Sequence, residues 1–305
     1  MQSILKTGLA AAALGFALLV IGCGSRKEQP IAKNADKPVI AVSILPQSYF
    51  VKKIAGDRVS VFTLVGPGQS PHAYEPTPAQ MTELAKAALW VTTSVEFENA
   101  LKPKIAALYP RMRVADGTKA IVMRTLETHS HEGEAGGAHE EAKGGPDPHV
   151  WMGRQGAKAM SAVIRDELSA LMPESAAVFS ANYEAFAQEI DGIFNGLAVS
   201  LAPFKGKAVL VYHPAFGYLL DEFGLEQEAV ETGGKEPTPK ALAALIRNAK
   251  KDGAKVIFVQ TQFPVASAKT IADAIGGTVV PIDVLTADWA VNLQHIGEAL
   301  QAGIK

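Results

Sequence analysis

Three of the seven histidines in this 305-residue chain lie in loops next to predicted strands or helices. His72 follows the second predicted strand, His149 stands in "DPHVW", and His213 comes directly after the strand "KAVLVY". Ligands of open α/β sheets bind at the carboxyl ends of the strands, so a binding site is expected in these loops. A proline next to each histidine restricts its backbone, and such rigid placement suits metal coordination.

Three imidazoles favour zinc, or another borderline metal, over calcium or magnesium. A three-histidine site with an open fourth position is typical of catalytic zinc, whereas a fourth protein ligand closes the site. Asp283, at the end of the last predicted strand "TVVPID", is the candidate for that ligand. With it the pattern predicts three nitrogens and one oxygen, which favours capture of the ion over hydrolysis. Asp283 can instead orient an imidazole through a hydrogen bond, with water or Glu75 in the fourth place.

Two other classes of protein compete with this hypothesis of a non-enzymatic metal-binding protein. A zinc hydrolase needs an open coordination position and a general base, and Glu75, three residues after His72, is the only candidate base. The sequence contains no nucleophile elbow, P-loop or dinucleotide fingerprint. A structural or adhesive surface protein does not require three histidines at strand ends. Each histidine taken singly also fits a structural role, as does His149 packed beside Trp151.

The N-terminal part of the chain has the pattern of an export signal followed by a tether. Lys6 gives a positive start, and the apolar run 8–21 is too short for a stable membrane-spanning helix. The run ends at "VIGC", which resembles the lipobox of bacterial lipoproteins, in which the signal is cleaved before an acylated cysteine. We therefore expect a lipoprotein signal peptide over 1–22, a lipid on Cys23 that attaches the protein to the outside of a bacterial membrane, and a flexible lipidated tether over 23–37.

Charge and length bound the remaining possibilities. Loss of the signal removes Lys6 and takes the net charge from −2 to −3, with scattered signs and no basic patch for nucleic acid. The single cysteine excludes an internal disulfide. A mature chain of about 280 residues is long enough for two ordinary domains.

From residue 38 onward, short β-rich runs alternate with helical runs, a pattern that predicts βα units and parallel sheets. A longer helix interrupts the alternation, with apolar positions at helical spacing as far as Leu201. We expect an α/β fold of two parallel-sheet lobes bridged by this long helix, with the metal site between the lobes. A single doubly wound sheet is the alternative, but it leaves the long helix without an obvious role. The predicted parts are an N-terminal lobe (38–172) with a His/Glu-rich loop (128–145), a linking helix (173–204) and a C-terminal lobe (205–305).

Six segments in order carry a resemblance to a known family: "GPGQSPHAYEPTP", "DPHVWM", "HPAFGYLLDEFGL", "EPTPKALAALI", "KVIFVQTQF" and "VVPIDVLTADW". They resemble the periplasmic metal-binding proteins that deliver zinc or manganese to ABC importers, and in particular the zinc-uptake type. The match runs from about residue 38 to the C-terminus. In that family one rigid helix bridges two α/β lobes with the ion between them, as the periodicity of this chain also indicates.

The resemblance implies a ligand set and partners. Its ligand positions fall on His72, His149, His213 and Asp283, and its partners are an ABC permease and the associated ATPase, with the binding protein expected to be a monomer. Manganese carriers of the family tend to have glutamate at the third position, so His213 favours zinc. A manganese or iron carrier of the same family is the closest alternative.

Two further features bear on that resemblance. Zinc carriers of the family often hold an acidic, histidine-rich loop beside the site, which makes His129, His131 and His139 candidates for auxiliary metal capture. Gln260 departs from the family pattern, because many relatives have glutamate there. No ligand role follows for Gln260 from the sequence.

Overall fold

The computed structural model describes residues 37–126, 144–231 and 237–304. Cys23, most of the expected tether and the loop histidines His129, His131 and His139 lie outside the described residues, so the expectations for them stay predictions.

A four-stranded parallel sheet forms the first lobe. Its strands are Val39–Val42 (β1), Ser60–Thr63 (β2), Ala87–Thr92 (β3) and Arg113–Asp116 (β4), and its helices are Leu45–Ala55 (α1), Pro78–Leu84 (α2) and Glu96–Leu108 (α3). The strand order is β2-β1-β3-β4. Helix α2 begins as predicted, because the Thr77 side chain accepts a hydrogen bond from the Gln80 amide and Pro78 takes the first position.

Two long helices follow the first sheet: Arg154–Leu171 (α4) and Ala176–Leu201 (α5). Helix α5 packs on α4 and on α1. Its buried side consists of Phe179, Phe186, Ala187, Ile190, Phe194, Leu197 and Leu201. The helical spacing of these residues explains why α5 forms and which face it buries.

A second four-stranded parallel sheet forms the other lobe. Its strands are Ala208–Val211 (β5), Glu226–Ala229 (β6), Val256–Gln260 (β7) and Thr278–Ile282 (β8), and its helices are Gly217–Glu222 (α6), Pro239–Lys251 (α7) and Val265–Ile275 (α8). The strand order is β6-β5-β7-β8, so both sheets share one plan in which the first strand lies between the second and third.

The last helix, Trp289–Gly303 (α9), returns from the second sheet to the helices of the first lobe. Its Trp289 ring packs edge-on against Phe50 of α1, with centroids 5.1 Å apart, and lies 6.2 Å from Phe186 of α5. The indole of Trp289 also donates to the Trp151 carbonyl, and the Trp151 indole donates to the Val284 carbonyl. Buried aromatic rings of this size contribute strongly to a core. The lobes are therefore held together by both α5 and α9.

The architecture confirms the predicted fold class, an α/β protein with two parallel-sheet lobes and a long connecting helix. No helix within the described ranges is both long enough and apolar enough to cross a membrane.

Candidate metal centre

His72 lies in a single helical turn, Pro71–Ala73, in the loop between β2 and α2. Its amide donates to the Ser70 hydroxyl at 3.3 Å, and Pro71 sets the direction of the chain just before it. The side chain is 22% exposed, so one edge of the ring is accessible from solvent.

His149 stands just before a single helical turn, Val150–Met152, that leads into α4. Its amide and its ring Nδ1 both meet Oδ1 of Asp147, at 3.0 and 2.7 Å. The ring lies 5.3 Å from the Trp151 ring, and its side chain is 3% exposed. Two contacts to a single carboxylate oxygen therefore fix both the backbone and the ring of His149.

His213 follows β5 by two residues, and Gln260, the last residue of β7, holds its backbone. The Gln260 amide group donates to the His213 carbonyl at 2.8 Å, and its oxygen accepts from the His213 amide at 3.3 Å. A glutamate at this position would accept but, when ionised, could not donate. The departure from the family pattern at Gln260 thus has a structural role, because the amide supplies both halves of this contact. Phe263 stacks on the imidazole at 4.8 Å between centroids.

The three histidines meet at one point. Nε2 of His213 lies 3.0 Å from Nε2 of His72 and 3.3 Å from Nε2 of His149. One nitrogen from each ring lies within 4.8 Å of the others, as expected for the ligands of one metal ion. The adjoining cavity is about 10 Å³, which fits roughly one water-sized particle. The arrangement suits one small cation held by three imidazole nitrogens.

Each imidazole also carries a carboxylate on its other nitrogen. Nδ1 of His72 lies 2.9 Å from Glu96, and Nδ1 of His213 lies 2.5 Å from Glu231, in addition to the pair of His149 and Asp147. A carboxylate that accepts from Nδ1–H leaves Nε2 as the free lone pair. All three lone pairs then point at the common centre.

The electrostatics of the site favour a neutral ring at His213 and ionised carboxylates at Asp147 and Glu96. Burial lowers the pKa of His213 to about 4, although the hydrogen bond to Glu231 acts in the opposite direction. Burial alone would raise the pKa of Asp147, but the hydrogen bond and charge of His149 outweigh it and lower that pKa. His72 has the same net effect on Glu96 and lowers its pKa against burial. A neutral imidazole is the form that binds metal.

Asp283, the fourth residue implied by the sequence, is not a member of this three-histidine group. Its carboxylate accepts from the Gln262 amide at 2.9 Å, from the Leu285 backbone at 2.8 Å and from the Thr261 hydroxyl at 3.3 Å. Gln262 and Leu285 line the small cavity, so Asp283 contacts two residues of its wall.

Glu75 is exposed, and it lines a separate cleft of about 540 Å³ beside His72 and Glu96. It also lies outside the three-histidine group. The cleft is open to solvent on the side of the centre where His72 is accessible.

The sequence reasoning missed Glu96, Asp147, Glu231 and the role of Gln260. A signal for them was present, because Glu96 and Glu231 follow the ends of β3 and β6, and Gln260 ends β7. The rule that directed attention to histidines at strand ends applies equally to these acids and this amide. Asp147 stands two residues before His149, within reach of its ring.

The fold and the three converging histidines together define a two-lobed protein with a nitrogen-rich candidate metal centre. The chain belongs to the family described as zinc-uptake complex component A, periplasmic, or ZnuA, whose model matches residues 40–303.

Individual relatives are consistent with this membership. Zinc-binding lipoprotein AdcA of Streptococcus pneumoniae is 30% identical over an alignment of 278 residues that covers 88% of this chain and 52% of AdcA. The chain thus spans about half the length of that relative. High-affinity zinc uptake system protein ZnuA of Yersinia pestis is 26% identical over an alignment of 281 residues that covers 85% of this chain and 88% of that protein.

Solved structures show the same architecture. A crystal structure of ZnuA is 31% identical and superposes with a TM-score of 0.80, covering 88% of this chain and 100% of the other. The periplasmic zinc-binding protein TroA of Treponema pallidum, at 20% identity and a TM-score of 0.76, shares the fold; the match covers 88% of this chain and 99% of that one.

Proposed function

We propose that this chain is an extracytoplasmic zinc-binding protein that captures Zn²⁺ between its lobes and delivers it to an ABC permease. The observation that carries the proposal is the convergence of three histidine Nε2 atoms, from two lobes, at a cavity of about 10 Å³. Family membership and the names of AdcA and ZnuA support zinc as the cargo.

His72, His149 and His213 are the proposed zinc ligands, each through Nε2. Neutral imidazole nitrogens suit zinc better than manganese, which prefers oxygen ligands. The pKa of about 4 at His213 supports this role, since the ring is ready to bind without first losing a proton.

Asp283 is the proposed support of two residues of the cavity wall, Gln262 and Leu285. Its carboxylate holds Gln262 and the Leu285 amide, both at the cavity, and this use of its oxygens supports an orienting role over direct coordination. A water molecule or a shifted carboxylate oxygen then completes the coordination of the ion.

Transport requires a place outside the cytoplasm and a partner. The lipobox-like "VIGC" supports a lipid on Cys23, and the family description supports an extracytoplasmic location. The proposed partners are a permease and its ATPase, with this protein acting as a monomeric carrier and not as an enzyme. Glu75 is not close enough to the three nitrogens to join their group, which gives no support to a zinc hydrolase.

The test is the metal content and competitive metal affinity of a soluble form starting at Gly24. After exhaustive dialysis, mass spectrometry should find one zinc ion per chain, and titration against a chromophoric chelator should rank zinc far above manganese. A preference for manganese would instead identify the protein as a manganese carrier of the same family. Absence of any tightly bound ion would overturn the proposed function.

A further inference from the structure

All three proposed ligands show the same pairing, although their carboxylates come from different parts of the chain. Glu96 begins α3 and lies 24 residues after His72, Asp147 lies two residues before His149, and Glu231 follows β6, 18 residues after His213. Three separate segments thus place a carboxylate on the nitrogen that faces away from the centre. A single histidine–carboxylate pair is common in proteins, whereas three such pairs around one point distinguish this group of histidines.

The pairing determines which nitrogen is available to an ion. Once Nδ1–H donates to a carboxylate, the tautomer is fixed and the ring cannot turn without breaking that bond. The negative charge behind the ring also makes Nε2 a stronger donor toward a cation. The three carboxylates therefore act on the ion through the rings, without touching it.

The three carboxylates differ in how far their side chains are exposed to solvent. The side chains of Asp147 and Glu231 are 0% and 3% exposed, whereas that of Glu96 is 57% exposed. A buried carboxylate is costly unless positive charge compensates it, and it interacts strongly with charge because water does not screen it. Arg124 already supplies part of this charge to Asp147, at 3.3 Å, and a divalent cation bound to Nε2 would add to it one ring away. Water screens the charge of Glu96 instead.

We propose that Glu231 and Asp147 are positioning residues for zinc capture, which fix and strengthen the Nε2 donors of His213 and His149, and that Glu96 does the same more weakly at His72. The inference rests on the proposed function, because it concerns the same ion. It adds a prediction that the ligands alone do not give: affinity follows the burial of residues that never contact the metal.

The experiment compares Glu231→Leu, Glu231→Gln, Asp147→Asn and Glu96→Gln in the full soluble chain. Zinc affinity is measured by chelator competition, and the visible absorption of the Co²⁺-loaded protein reports ligand geometry and donor strength. Glu231→Leu is expected to lower zinc affinity about 10- to 100-fold and to shift the cobalt bands. Glu231→Gln, whose amide oxygen still accepts from Nδ1, should recover part of the loss. Asp147→Asn should cost about tenfold and Glu96→Gln about threefold or less.

Glu98→Gln is the matched control. Glu98 is also a fully buried carboxylate, but it accepts from the backbone amides of Thr93 and Ser94 and contacts none of the three histidines. Its replacement should lower thermal stability and leave both zinc affinity and the cobalt spectrum unchanged. This separates a role in metal binding from a general cost of altering a buried acid.

Three outcomes would overturn the inference. The first is a folded Glu231→Leu or Glu231→Gln protein with wild-type zinc affinity and cobalt spectrum. The second is an equal loss in Glu98→Gln. The third is a Glu96→Gln loss as large as that of Glu231→Gln. In each case, tight zinc binding by the wild type would leave the proposed function standing, whereas a wild type without tight zinc would overturn both.

Discussion

The two sides of the metal centre differ in how far they are shielded from water. The buried side comprises His149 and His213 with Asp147 and Glu231, whose side chains are all at most 6% exposed. The open side comprises His72 and Glu96, with side chains 22% and 57% exposed, and it borders the cleft of about 540 Å³. The same chemical pairing of histidine and carboxylate is thus present in two very different environments.

We infer from this contrast that the two sides have different roles in a carrier that has to bind an ion tightly and still release it. Buried, doubly fixed ligands keep their geometry without the ion and give most of the affinity. A ligand at the solvent edge can be replaced by water, so exchange can begin there. We expect substitutions on the buried side to change affinity most and those on the open side to change the rate of release.

The largest effect is expected from His213→Ala on the buried side. Removing one of three nitrogen ligands that water cannot easily replace should weaken zinc binding about 1000-fold, on the order of 4 kcal/mol. Chelator competition measures the change. The matched control is His295→Ala, on the exposed surface of α9, which should bind zinc as the wild type does. An equal loss in both variants, or none in His213→Ala, would remove His213 from the ligand set.

Acid should destabilise the metal-free protein through the protonation of His213. The unfolded chain binds a proton on this imidazole near pH 6.5, whereas burial lowers the pKa in the folded chain to about 4. The unfolded state therefore takes up more protons between these values, and lowering the pH through this window favours unfolding by roughly 3 kcal/mol. Urea denaturation of the metal-free protein at several pH values measures the slope. His213→Asn should make the unfolding free energy less dependent on pH, and His295→Asn should leave this dependence unchanged. A wild-type slope in His213→Asn would assign the effect to other groups.

The fold and the three histidines of the site were predictable from the sequence, because they depend on local patterns. The alternation of short apolar runs with helical periodicity predicted two parallel sheets, and the same strand ends that carry His72 and His213 predicted where ligands gather. The pairing of Glu231 with His213 could not be predicted from a strand-end position alone, because it requires β6 to lie beside β5. Strand order within a sheet is set by packing between distant segments, which no local pattern shows.

The position of Asp283 relative to the histidines depends on strand order in the same way. Asp283 follows β8, which the order β6-β5-β7-β8 places two strands away from the strand before His213, or roughly 10 Å at ordinary strand spacing. The side chain between them is that of Gln262, which follows β7 and donates to Asp283. A carboxylate at a strand end was predictable, and its distance from the histidines was not.

A smaller effect than at His213 is expected from His72→Ala on the open side. Water from the cleft can occupy the vacated position, so we expect zinc affinity to fall about 100-fold, with most of the change in faster dissociation. Stopped-flow transfer of zinc to excess chelator measures that rate. Glu75→Gln, in the same cleft but outside the three-nitrogen group, is the control and should release zinc at the wild-type rate. A His72→Ala loss as large as that of His213→Ala would contradict the division between the two sides.

The smallest effect of these ligand substitutions is expected at Asp283, which holds two residues of the cavity wall. If its carboxylate acts by holding Gln262 and the Leu285 amide, Asp283→Asn keeps an oxygen for one of these contacts, and zinc affinity should fall about threefold to tenfold. If Asp283 instead contributes an oxygen to the ion, the neutral amide is a far weaker ligand and the loss should approach that of His72→Ala. Chelator competition on Asp283→Asn, beside Asp288→Asn at the start of α9 as control, separates the two. A loss near 100-fold would assign Asp283 as the fourth ligand and would mean that its carboxylate moves toward the histidines when zinc binds.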